Sequence, residues 1–209
     1  MDVVKIALAK GRLEELTVEI LQQIGIAFPD LMEGSRKLIF DDTSGRYRIV
    51  LVKASDVATY VENGAADIGV VGKDTLMESD ADVFEVLDLG FGKCKFSVAG
   101  LKHQVINPNQ KLKVASKYPK VAKDFYEKKG IFVETIKLNG SVELAPLIGL
   151  SDVIVDIVET GRTLKENGLE VIEDICDISA RLIVNKASFK TKTDDIHYLI
   201  NEMEKAIGE

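Results

Sequence analysis

The chain has 209 residues, of which 46% are hydrophobic and 29% are charged, and its formal net charge is −7. This composition is typical of a globular protein, and the length suits one large domain or two domains of roughly 100 residues each. The acidic balance argues against a general binder of nucleic acid or of membrane surfaces, because both reward a basic face.

The N-terminal stretch and the cysteines indicate the compartment. MDVVKIALAKGRLEE has charges on both sides of a short apolar run and no small-residue cleavage site, so it is not a secretory signal. No apolar run approaches the roughly 20 residues that cross a bilayer. Cys94 and Cys176 are far apart and form no CxxC pair, which favours reduced, buried thiols. We therefore expect a cytoplasmic protein.

Strand-like and helix-like patterns alternate along the first part of the chain. The strand-like segments are VVKIALA, RKLIFDD, YRIVLVK, ADIGVVG and VFEVLDLG. The turn TSGR joins the second and third of these and predicts a β-hairpin. Two segments are helix-like: LEELTVEILQQIG, which ends at Gly25, and SDVATYVENG, with Ser55 as its N-cap and Gly64 as its end.

A second set of alternating elements follows. The strand-like segments are CKFSVAGLK, LKVASK, IFVETIKL, DVIVDIV and EDICDISARLIVNK, the last of which could run back toward the first set. The helix-like segments are YPKVAKDFYEKKG, SVELAPLIG, GRTLKENG and the closing KTDDIHYLINEMEKAIG. The alternation predicts an α/β architecture with largely parallel sheets. With no Pro- or Ser-rich linker, two lobes would be joined by short crossings, with a ligand cleft between them.

The segment DVIVDIVETGRTLKENG combines a buried strand with a small, hydroxyl-rich turn. In open α/β sheets, ligands bind beyond the carboxyl ends of strands, and the N-terminus of the next helix attracts anions. Gly161 would let the backbone approach a ligand, Thr160 and Thr163 offer hydroxyls, and Arg162 offers a charge-assisted contact. The alternative is an ordinary N-capped turn between a strand and a helix.

Two carboxylates complete the expected site. Asp156 and Glu159 would repel a bare phosphate, but they suit the diol of a ribose or a Mg²⁺ between ligand oxygens. The segment therefore predicts a site for a phosphorylated sugar. It matches neither GxGxxG nor GxxxxGK[ST], which weakens dinucleotide and P-loop interpretations.

Cations follow or flank several predicted strands of the first part. Lys10, Gly11 and Arg12 open the first helix, and Lys53 lies where a strand gives way to a helix cap. Arg36 belongs to SRKLIF, which also contains Lys37. Each could be a solvated surface residue. Together, in an acidic chain, they form the pattern expected where a polyphosphate is held while charge leaves it.

The segment GAADIGVVGKDTL is a third candidate. Asp67 lies between small residues, and Gly69 and Gly72 follow it closely. We assign Asp67 and Gly72 to ligand binding, although packing of the glycines within the sheet explains them equally well. His103 and His197 are expected to be a loop residue and a helix-surface residue, and we assign no protein metal site.

These motifs together resemble those of the ATP phosphoribosyltransferase family. ELAPLIGLSDVIVDIVETGRTL resembles its signature position by position, and KGRLEE, SRKLIF and NGAADIGVVGKDTL resemble other family segments in the same order. The resemblance covers nearly the whole chain. It departs at Lys53, where many relatives carry Arg; Lys keeps the charge but lacks the planar, bidentate fork.

The resemblance implies a fold and a division into lobes. It implies a two-lobed architecture like that of type II periplasmic binding proteins, with mixed or parallel sheets. Residues 1–92 and 182–209 would form the ATP-side lobe, and residues 93–181 the phosphoribosyl pyrophosphate lobe. The chain ends soon after NEMEKAIGE, so it resembles the short form. That form works with a regulatory subunit similar to histidyl-tRNA synthetase, as a hetero-oligomer that we expect to be a hetero-octamer.

The resemblance also implies a reaction, the first step of histidine biosynthesis. The 5-phosphoribosyl group of phosphoribosyl pyrophosphate would pass to N1 of ATP, with Mg²⁺ held mainly by the substrate. The sugar phosphate would be bound by the set Asp156, Glu159, Thr160, Gly161, Arg162 and Thr163. ATP would be bound by the set Lys10, Gly11, Arg12, Arg36, Asp67 and Gly72, and the catalytic set would be Lys10, Arg36 and Lys53.

Two other functions remain as alternatives. A cytosolic two-lobed sensor that binds a small ligand would share the fold, because fold does not fix function. A Rossmann-like phosphoribosyltransferase would carry two adjacent acids at the end of a strand, whereas Asp156 and Glu159 are separated by two apolar residues. The sensor leaves the cations and the signature unexplained.

Overall fold

A computed structural model describes residues 3–31, 36–102 and 111–208 as two α/β units. One unit comprises Met1–Gly92 and Ser179–Glu209, and the other comprises Lys93–Ile178. The strands are β1 (Val4–Ala9), β2 (Ile39–Asp41), β3 (Tyr47–Val52), β4 (Ile68–Gly72), β5 (Phe84–Asp88), β6 (Cys94–Leu101), β7 (Leu112–Ser116), β8 (Val133–Lys137), β9 (Val153–Val158), β10 (Leu169–Ile178) and β11 (Ala180–Val184). The helices are α1 (Arg12–Gln23), α2 (Val57–Glu62), α3 (Lys73–Ser79), α4 (Pro119–Lys128), α5 (Leu144–Leu147), α6 (Arg162–Glu166), α7 (Lys186–Thr191) and α8 (Thr193–Gly208).

The first unit is built on a mixed sheet with the strand order β2-β3-β1-β4-β11-β5. β1 runs parallel to β3 and β4, whereas β2 is antiparallel to β3, and β11 is antiparallel to β4 and β5. Apolar side chains of α1 and α8, such as Leu21 and Leu199, are buried against one face. Val57 and Val61 of α2 are buried against the other. Helices on both faces explain why β1 and β4 are almost continuously apolar.

The second unit has a mixed sheet with the order β10-β6-β9-β7-β8. β7 is parallel to both β8 and β9, and β6 is antiparallel to β9 and β10. On one face, Ala145 of α5 and Leu164 of α6 pack against Ile154 of β9. Phe96 of β6 contacts Tyr118, the residue before α4, edge to face at 5.0 Å between ring centroids. β9 therefore lies inside the sheet, and its carboxyl end leads directly into α6.

Most predicted elements are present, including the hairpin of β2 and β3 and the mixed sheets. Two details were wrong. The helix of SDVATYVENG is a 3₁₀ turn, Ala54–Asp56, followed by α2, so Asp56 and not Ser55 is its N-cap. The chain re-enters the first unit at Ser179 and not at residue 182, because Ala180–Val184 is one continuous strand between β4 and β5.

Within residues 3–31, 36–102 and 111–208, no helix combines the length and the apolar character that a membrane span requires.

Candidate active site

The turn after β9 has the geometry that its sequence predicts. Gly161 adopts φ 69° and ψ 6° as the N-cap of α6, a left-handed conformation that glycine tolerates best. The hydroxyl oxygen of Thr160 accepts a long hydrogen bond of 3.4 Å from the Arg162 N–H. The first-turn N–H groups of α6, such as that of Thr163, have no acceptor inside the helix. The turn therefore presents amides and hydroxyls at the carboxyl end of an interior strand.

The turn forms one wall of a concavity of about 290 Å³ within the second unit. It is lined by residues before and within β9, in the turn and at the start of β6: Cys94, Glu143, Asp156, Ile157, Val158, Glu159, Thr160, Gly161, Arg162, Thr163 and Leu164. All six residues assigned to phosphoribosyl pyrophosphate from the sequence are in this set. The structure thus brings three carboxylates and two threonine hydroxyls to one small site.

Asp156 is the titratable group most affected by this site. Burial raises its pKa above the ordinary value of 3.8, and the charge of Glu143 raises it further. The N–H of Ile157, 2.9 Å from the carboxylate, and the charge of Lys117 lower the pKa in opposition. An ionised Asp156 is therefore costly in the ligand-free protein, and hydroxyl donors of a ligand would relieve that cost.

Arg162 points toward its own helix. Its Nε donates to Glu166 Oε1 at 2.8 Å, and its side chain is 82% exposed. Exposed pairs of this kind contribute at most about 1 kcal/mol, so the guanidinium can exchange Glu166 for a phosphate at little cost.

Three of the predicted cations lie at one edge of the first sheet. The parallel register pairs Ala9 with Val52, so Lys10 and Lys53 follow paired residues. On the other side of β3, the Leu51 N–H donates to the Leu38 carbonyl at 2.8 Å. Arg36 precedes Leu38 by two residues and Lys53 follows Leu51 by two, so both extend this antiparallel pair toward the same edge of the sheet. The side chains of all three cations belong to exposed residues, which fits binding of a polyanion.

This edge borders a second concavity, of about 560 Å³, inside the first unit. Its lining comprises Ala9, Lys10, Leu38, Leu51, Val52, Lys53, Ala54, Asp56 and Tyr60. An aromatic ring, aliphatic walls and two cations suit a nucleotide, whose base is apolar and whose phosphates are anionic.

Gly11 and Arg12 open α1 next to this edge. Gly11 has φ 117°, a value that disfavours other residues, and its N–H donates to Glu14 Oε2 at 3.2 Å. Arg12 is exposed at the first helical position. Both are placed where a phosphate near Lys10 could reach them.

The carboxylate of Asp67, which the sequence assigns to ATP, is engaged inside the first unit, and its assignment to ATP stays a prediction. Asp67 is 5% exposed and precedes β4, so it lies at the amino ends of the parallel strands, opposite Lys10. Its carboxylate accepts hydrogen bonds from the Lys5 N–H (2.8 Å), the Ser188 hydroxyl (2.6 Å) and the Lys192 ammonium (2.9 Å). Asp67 therefore fastens the segment around α7 to the sheet.

The two nearby glycines have packing roles. A Cβ on Gly69 would lie 2.8 Å from Val61 Cγ2 and 2.9 Å from Val57 Cγ1, so α2 requires this glycine. Gly72 does lie at the carboxyl edge, but a Cβ there would come within 2.0 Å of the Asp74 carboxylate. Packing within the unit explains both glycines, and for Gly72 a contact with ATP remains only a proposal.

Sequence reasoning left out three residues near the turn. Glu143 and Cys94 line the concavity, and Lys117 acts on the charge of Asp156. Cys94 and Cys176 are not joined in a disulfide, and both are only partly buried, whereas the sequence favoured buried thiols. For Lys117 a signal existed, because it follows a predicted strand just as Lys10 and Lys53 do.

The acidic residues near the turn raise the question of a metal site. In the part of the chain that the structure describes, no three His, Cys, Asp or Glu residues are grouped to hold a metal ion. Asp156 and Glu143 offer oxygen ligands, which fits a Mg²⁺ that keeps most of its bonds to substrate and water. His197 is exposed on α8 beside Phe189, and His103 lies outside the described residues.

The fold is that of two-lobed periplasmic-binding-type proteins. The structure matches the aliphatic sulphonate binding protein SsuA from Escherichia coli with a TM-score of 0.61 and 12% identity, over 99% of this chain and 69% of that chain. It matches the VFT2 domain of BvgS from Bordetella pertussis with a TM-score of 0.58 and 11% identity, over 99% and 87% of the two chains. Identities this low establish the architecture and nothing about the ligand.

The family follows from closer relatives. The family model for ATP phosphoribosyltransferase (HisG) matches residues 53–205. Over 100% of both chains, the sequence is 57% identical to an ATP phosphoribosyltransferase of Clostridium novyi and 54% identical to that of Alkaliphilus metalliredigens. A solved ATP phosphoribosyl transferase (HisG:HisZ) complex from Thermotoga maritima matches with a TM-score of 0.85 and 36% identity over 99% of both chains. The chain belongs to the ATP phosphoribosyltransferase family.

Proposed function

We propose that this chain transfers the 5-phosphoribosyl group of phosphoribosyl pyrophosphate to N1 of ATP, giving phosphoribosyl-ATP and pyrophosphate. The observation that carries the proposal is the turn after β9, whose amides and hydroxyls share one concavity with Asp156. Full-length identity of 57% to a relative named for this activity supports it.

Different residues of the second unit bind the 5-phosphate and the ribose of the sugar phosphate. The 5-phosphate lies on the amides and hydroxyls from Thr160 to Thr163, which match an anion in charge and shape. Asp156, with Glu159 nearby, accepts hydrogen bonds from the ribose hydroxyls. Glu143, Asp156 and Glu159 are the carboxylates of the concavity that would hold a bound Mg²⁺, which would supply neutralisation of the departing charge.

The cations of the first unit bind the phosphates of ATP or the pyrophosphate that leaves. Lys10, Arg36 and Lys53 form the cationic edge, with Gly11 and Arg12 beside it, and Tyr60 offers a ring to the adenine. Each cation can meet developing negative charge without reorganisation, which is the largest contribution that such sites make to catalysis.

The bond changes require little acid–base chemistry. Adenine N1 donates its lone pair to ribose C1, and the bond from C1 to the pyrophosphate oxygen breaks with its electron pair going to pyrophosphate. N1 of adenine carries no proton, so no general base is needed. The work of the protein is to position the two substrates and to stabilise the charge that leaves.

A regulatory partner belongs to the proposal. The Thermotoga maritima relative was solved as a HisG:HisZ complex, and we infer that this chain assembles with a subunit similar to histidyl-tRNA synthetase, as a hetero-octamer. We also place the assembly in the cytoplasm, which cell fractionation with an antibody to the chain tests.

The test is a turnover assay. The purified chain is incubated with ATP, phosphoribosyl pyrophosphate and Mg²⁺, with and without the synthetase-like subunit, and phosphoribosyl-ATP is followed by its ultraviolet absorbance. We expect product that disappears with a chelator and returns with Mg²⁺. Ligand binding without product under every condition would favour the sensor function.

A variant pair tests the site within the same assay. Replacing Thr160 and Thr163 together by Val removes both hydroxyls and should raise KM for phosphoribosyl pyrophosphate by about ten-fold or more, because each lost hydrogen bond to a charged group is worth about 1.5–3 kcal/mol. The matched control is Thr59→Val, an exposed threonine of α2 in the first unit. Equal KM values for both variants would contradict the assignment.

A further inference from the structure

One face of the second sheet carries a polar row at its carboxyl end. Ala99, Ile154 and Ala115 are paired across β6, β9 and β7, and all three pack in the cluster beneath α5 and α6. Side chains alternate between the faces of a strand, so the residues two positions further along face the same way. On β6 and β9 these residues are Ser97 and Asp156, which are themselves a paired couple.

The same rule places Lys117 in this row. The register pairs Ser116 with Val155. The next residue in each segment is Lys117, just after the end of β7, and Asp156, within β9, so these two residues are neighbours. Tyr118 confirms the alternation, because its ring contacts Phe96, which points to the opposite face of the sheet from Ser97. Lys117 is therefore on the side of the sheet where Asp156 lines the concavity.

The charges in this row are unequal. Glu143, Asp156 and Glu159 bring three carboxylates to the concavity, and Lys117 is a cation that acts on Asp156 from just beyond the end of β7. The Ser97 hydroxyl does not interact with Asp156 in this way, because it donates a hydrogen bond to Asp174 at 2.8 Å. The Lys117 ammonium lies 5.4 Å from the ring centroid of Tyr118. Such a contact engages the charge and leaves N–H donors for an anion.

We propose that Lys117 is a substrate-binding residue that donates a hydrogen bond to the C1 pyrophosphate of bound phosphoribosyl pyrophosphate. The inference rests on the proposed function, in which Asp156 holds the ribose hydroxyls and the turn from Thr160 to Thr163 holds the 5-phosphate. C1 is the carbon next to the 2-hydroxyl, so an anion on C1 lies within reach of a long cationic side chain adjacent to Asp156. The 5-phosphate, at the other end of the sugar, already has its hydrogen-bond donors in the turn.

The experiment is a calorimetric titration of the full chain, with its synthetase-like subunit, in Mg²⁺ buffer. The two probes are phosphoribosyl pyrophosphate and ribose 5-phosphate, which lacks the pyrophosphate. Lys117→Met removes the charge and keeps the length of the side chain, and Lys117→Arg keeps the charge. Lys113→Met is the matched control, because Lys113 is exposed on the same strand and the same face. Thermal melting checks that each variant folds.

We expect Lys117→Met to raise the Kd for phosphoribosyl pyrophosphate by about ten-fold or more, and the Kd for ribose 5-phosphate by less than about two-fold. Lys117→Arg should stay within about three-fold of the wild type, and Lys113→Met within about two-fold. An unchanged Kd for phosphoribosyl pyrophosphate in Lys117→Met would overturn the inference, and equal losses for both probes would overturn the contact with the pyrophosphate.

The titration separates this inference from the proposed function. If the wild-type protein binds phosphoribosyl pyrophosphate and forms phosphoribosyl-ATP while Lys117→Met behaves like Lys113→Met, only the role of Lys117 fails. If the wild-type protein binds neither probe, the proposed function fails and takes the inference with it.

Discussion

Replacing Asp156 by Asn should weaken the binding of phosphoribosyl pyrophosphate and stabilise the folded protein. The substitution preserves the shape of the side chain and an oxygen that can accept the Ile157 N–H, which lies 2.9 Å from Oδ1. It removes the negative charge that burial and Glu143 make costly. Loss of function and gain of stability are opposite signs, so a variant that merely misfolds cannot imitate the result.

The magnitude of the functional loss follows from the hydrogen bonds. A hydroxyl that donates to a carboxylate contributes about 1.5–3 kcal/mol, and a neutral amide oxygen recovers about 1 kcal/mol of it. KM for phosphoribosyl pyrophosphate should therefore rise by about two-fold to thirty-fold per ribose hydroxyl, since 1.4 kcal/mol is a factor of ten. KM for ATP should change little, because the cations assigned to ATP belong to the first unit.

The stability effect has a defined sign and pH window. The folded-state pKa of Asp156 is raised from 3.8, so the folded protein binds this proton more tightly than the unfolded chain does. Its contribution to the free energy of unfolding is fully present below pH 3.8 and is lost as pH rises through the raised value. Above that window, Asp156→Asn should melt at a temperature equal to or higher than that of the wild type, and its advantage should shrink in acid.

Initial rates with varied phosphoribosyl pyrophosphate, together with thermal melts across pH, measure both effects. Asp152→Asn is the control: Asp152 precedes the same strand at its other end, where its carboxylate accepts the Lys113 N–H at 2.8 Å. The control should keep the KM of the wild type. A wild-type KM in Asp156→Asn, or a lower melting temperature at neutral pH, would refute the reasoning about this carboxylate.

Three further predictions concern other parts of the chain. Asp67→Ala should lower the free energy of unfolding by about 3 kcal/mol, because it leaves the partly buried Lys192 ammonium and the Ser188 hydroxyl without their carboxylate. Chemical denaturation measures this, and a variant of unchanged stability with a raised KM for ATP would favour the ATP role instead. Arg36→Met should lower kcat by about ten-fold to a hundred-fold through lost charge stabilisation. The control is Lys37→Met, which should keep the wild-type kcat, because the Lys37 ammonium lies 3.2 Å from Asp30. Equal kcat values for the two variants would contradict the role of the cationic edge. Phosphoribosyl pyrophosphate should slow the alkylation of Cys94, which lines the concavity, more than it slows the alkylation of Cys176. Peptide mass spectrometry measures both rates, and equal protection of the two thiols would argue against a ligand at the turn.

The sequence predicts the site at the turn because its signal is local. An apolar strand followed by a glycine and two threonines needs no knowledge of distant residues. The same reasoning finds Lys10 and Lys53, and the parallel register of β1 and β3 then brings them together. Local patterns name such residues, and only the pairing of strands shows which of them are neighbours.

Asp67 shows where local reasoning fails. Its small neighbours suggested a ligand site, although it stands before an apolar strand and therefore away from the carboxyl ends of strands, where ligands of open α/β sheets bind. Its partners Ser188 and Lys192 are more than a hundred residues away in the sequence. Lys117 is the converse case: its position after a strand is visible in the sequence, but its relation to Asp156 exists only through the register of β7 with β9.

The boundary of the second unit was misplaced for a similar reason. The segment EDICDISARLIVNK reads as one run of strand material, yet Ser179 separates β10 of one sheet from β11 of the other. The Ser179 hydroxyl donates to Asp88 at 2.7 Å, and its carbonyl accepts the Lys73 N–H at 2.9 Å. These distant contacts fix the change of sheet at that residue.

A crystal structure of the chain with phosphoribosyl pyrophosphate and Mg²⁺ tests the central claim most directly. The account predicts that oxygens of the 5-phosphate lie within about 3.2 Å of the hydroxyls of Thr160 and Thr163 and of the amides between them. A sugar phosphate bound at another place, with this turn left to solvent, would contradict it.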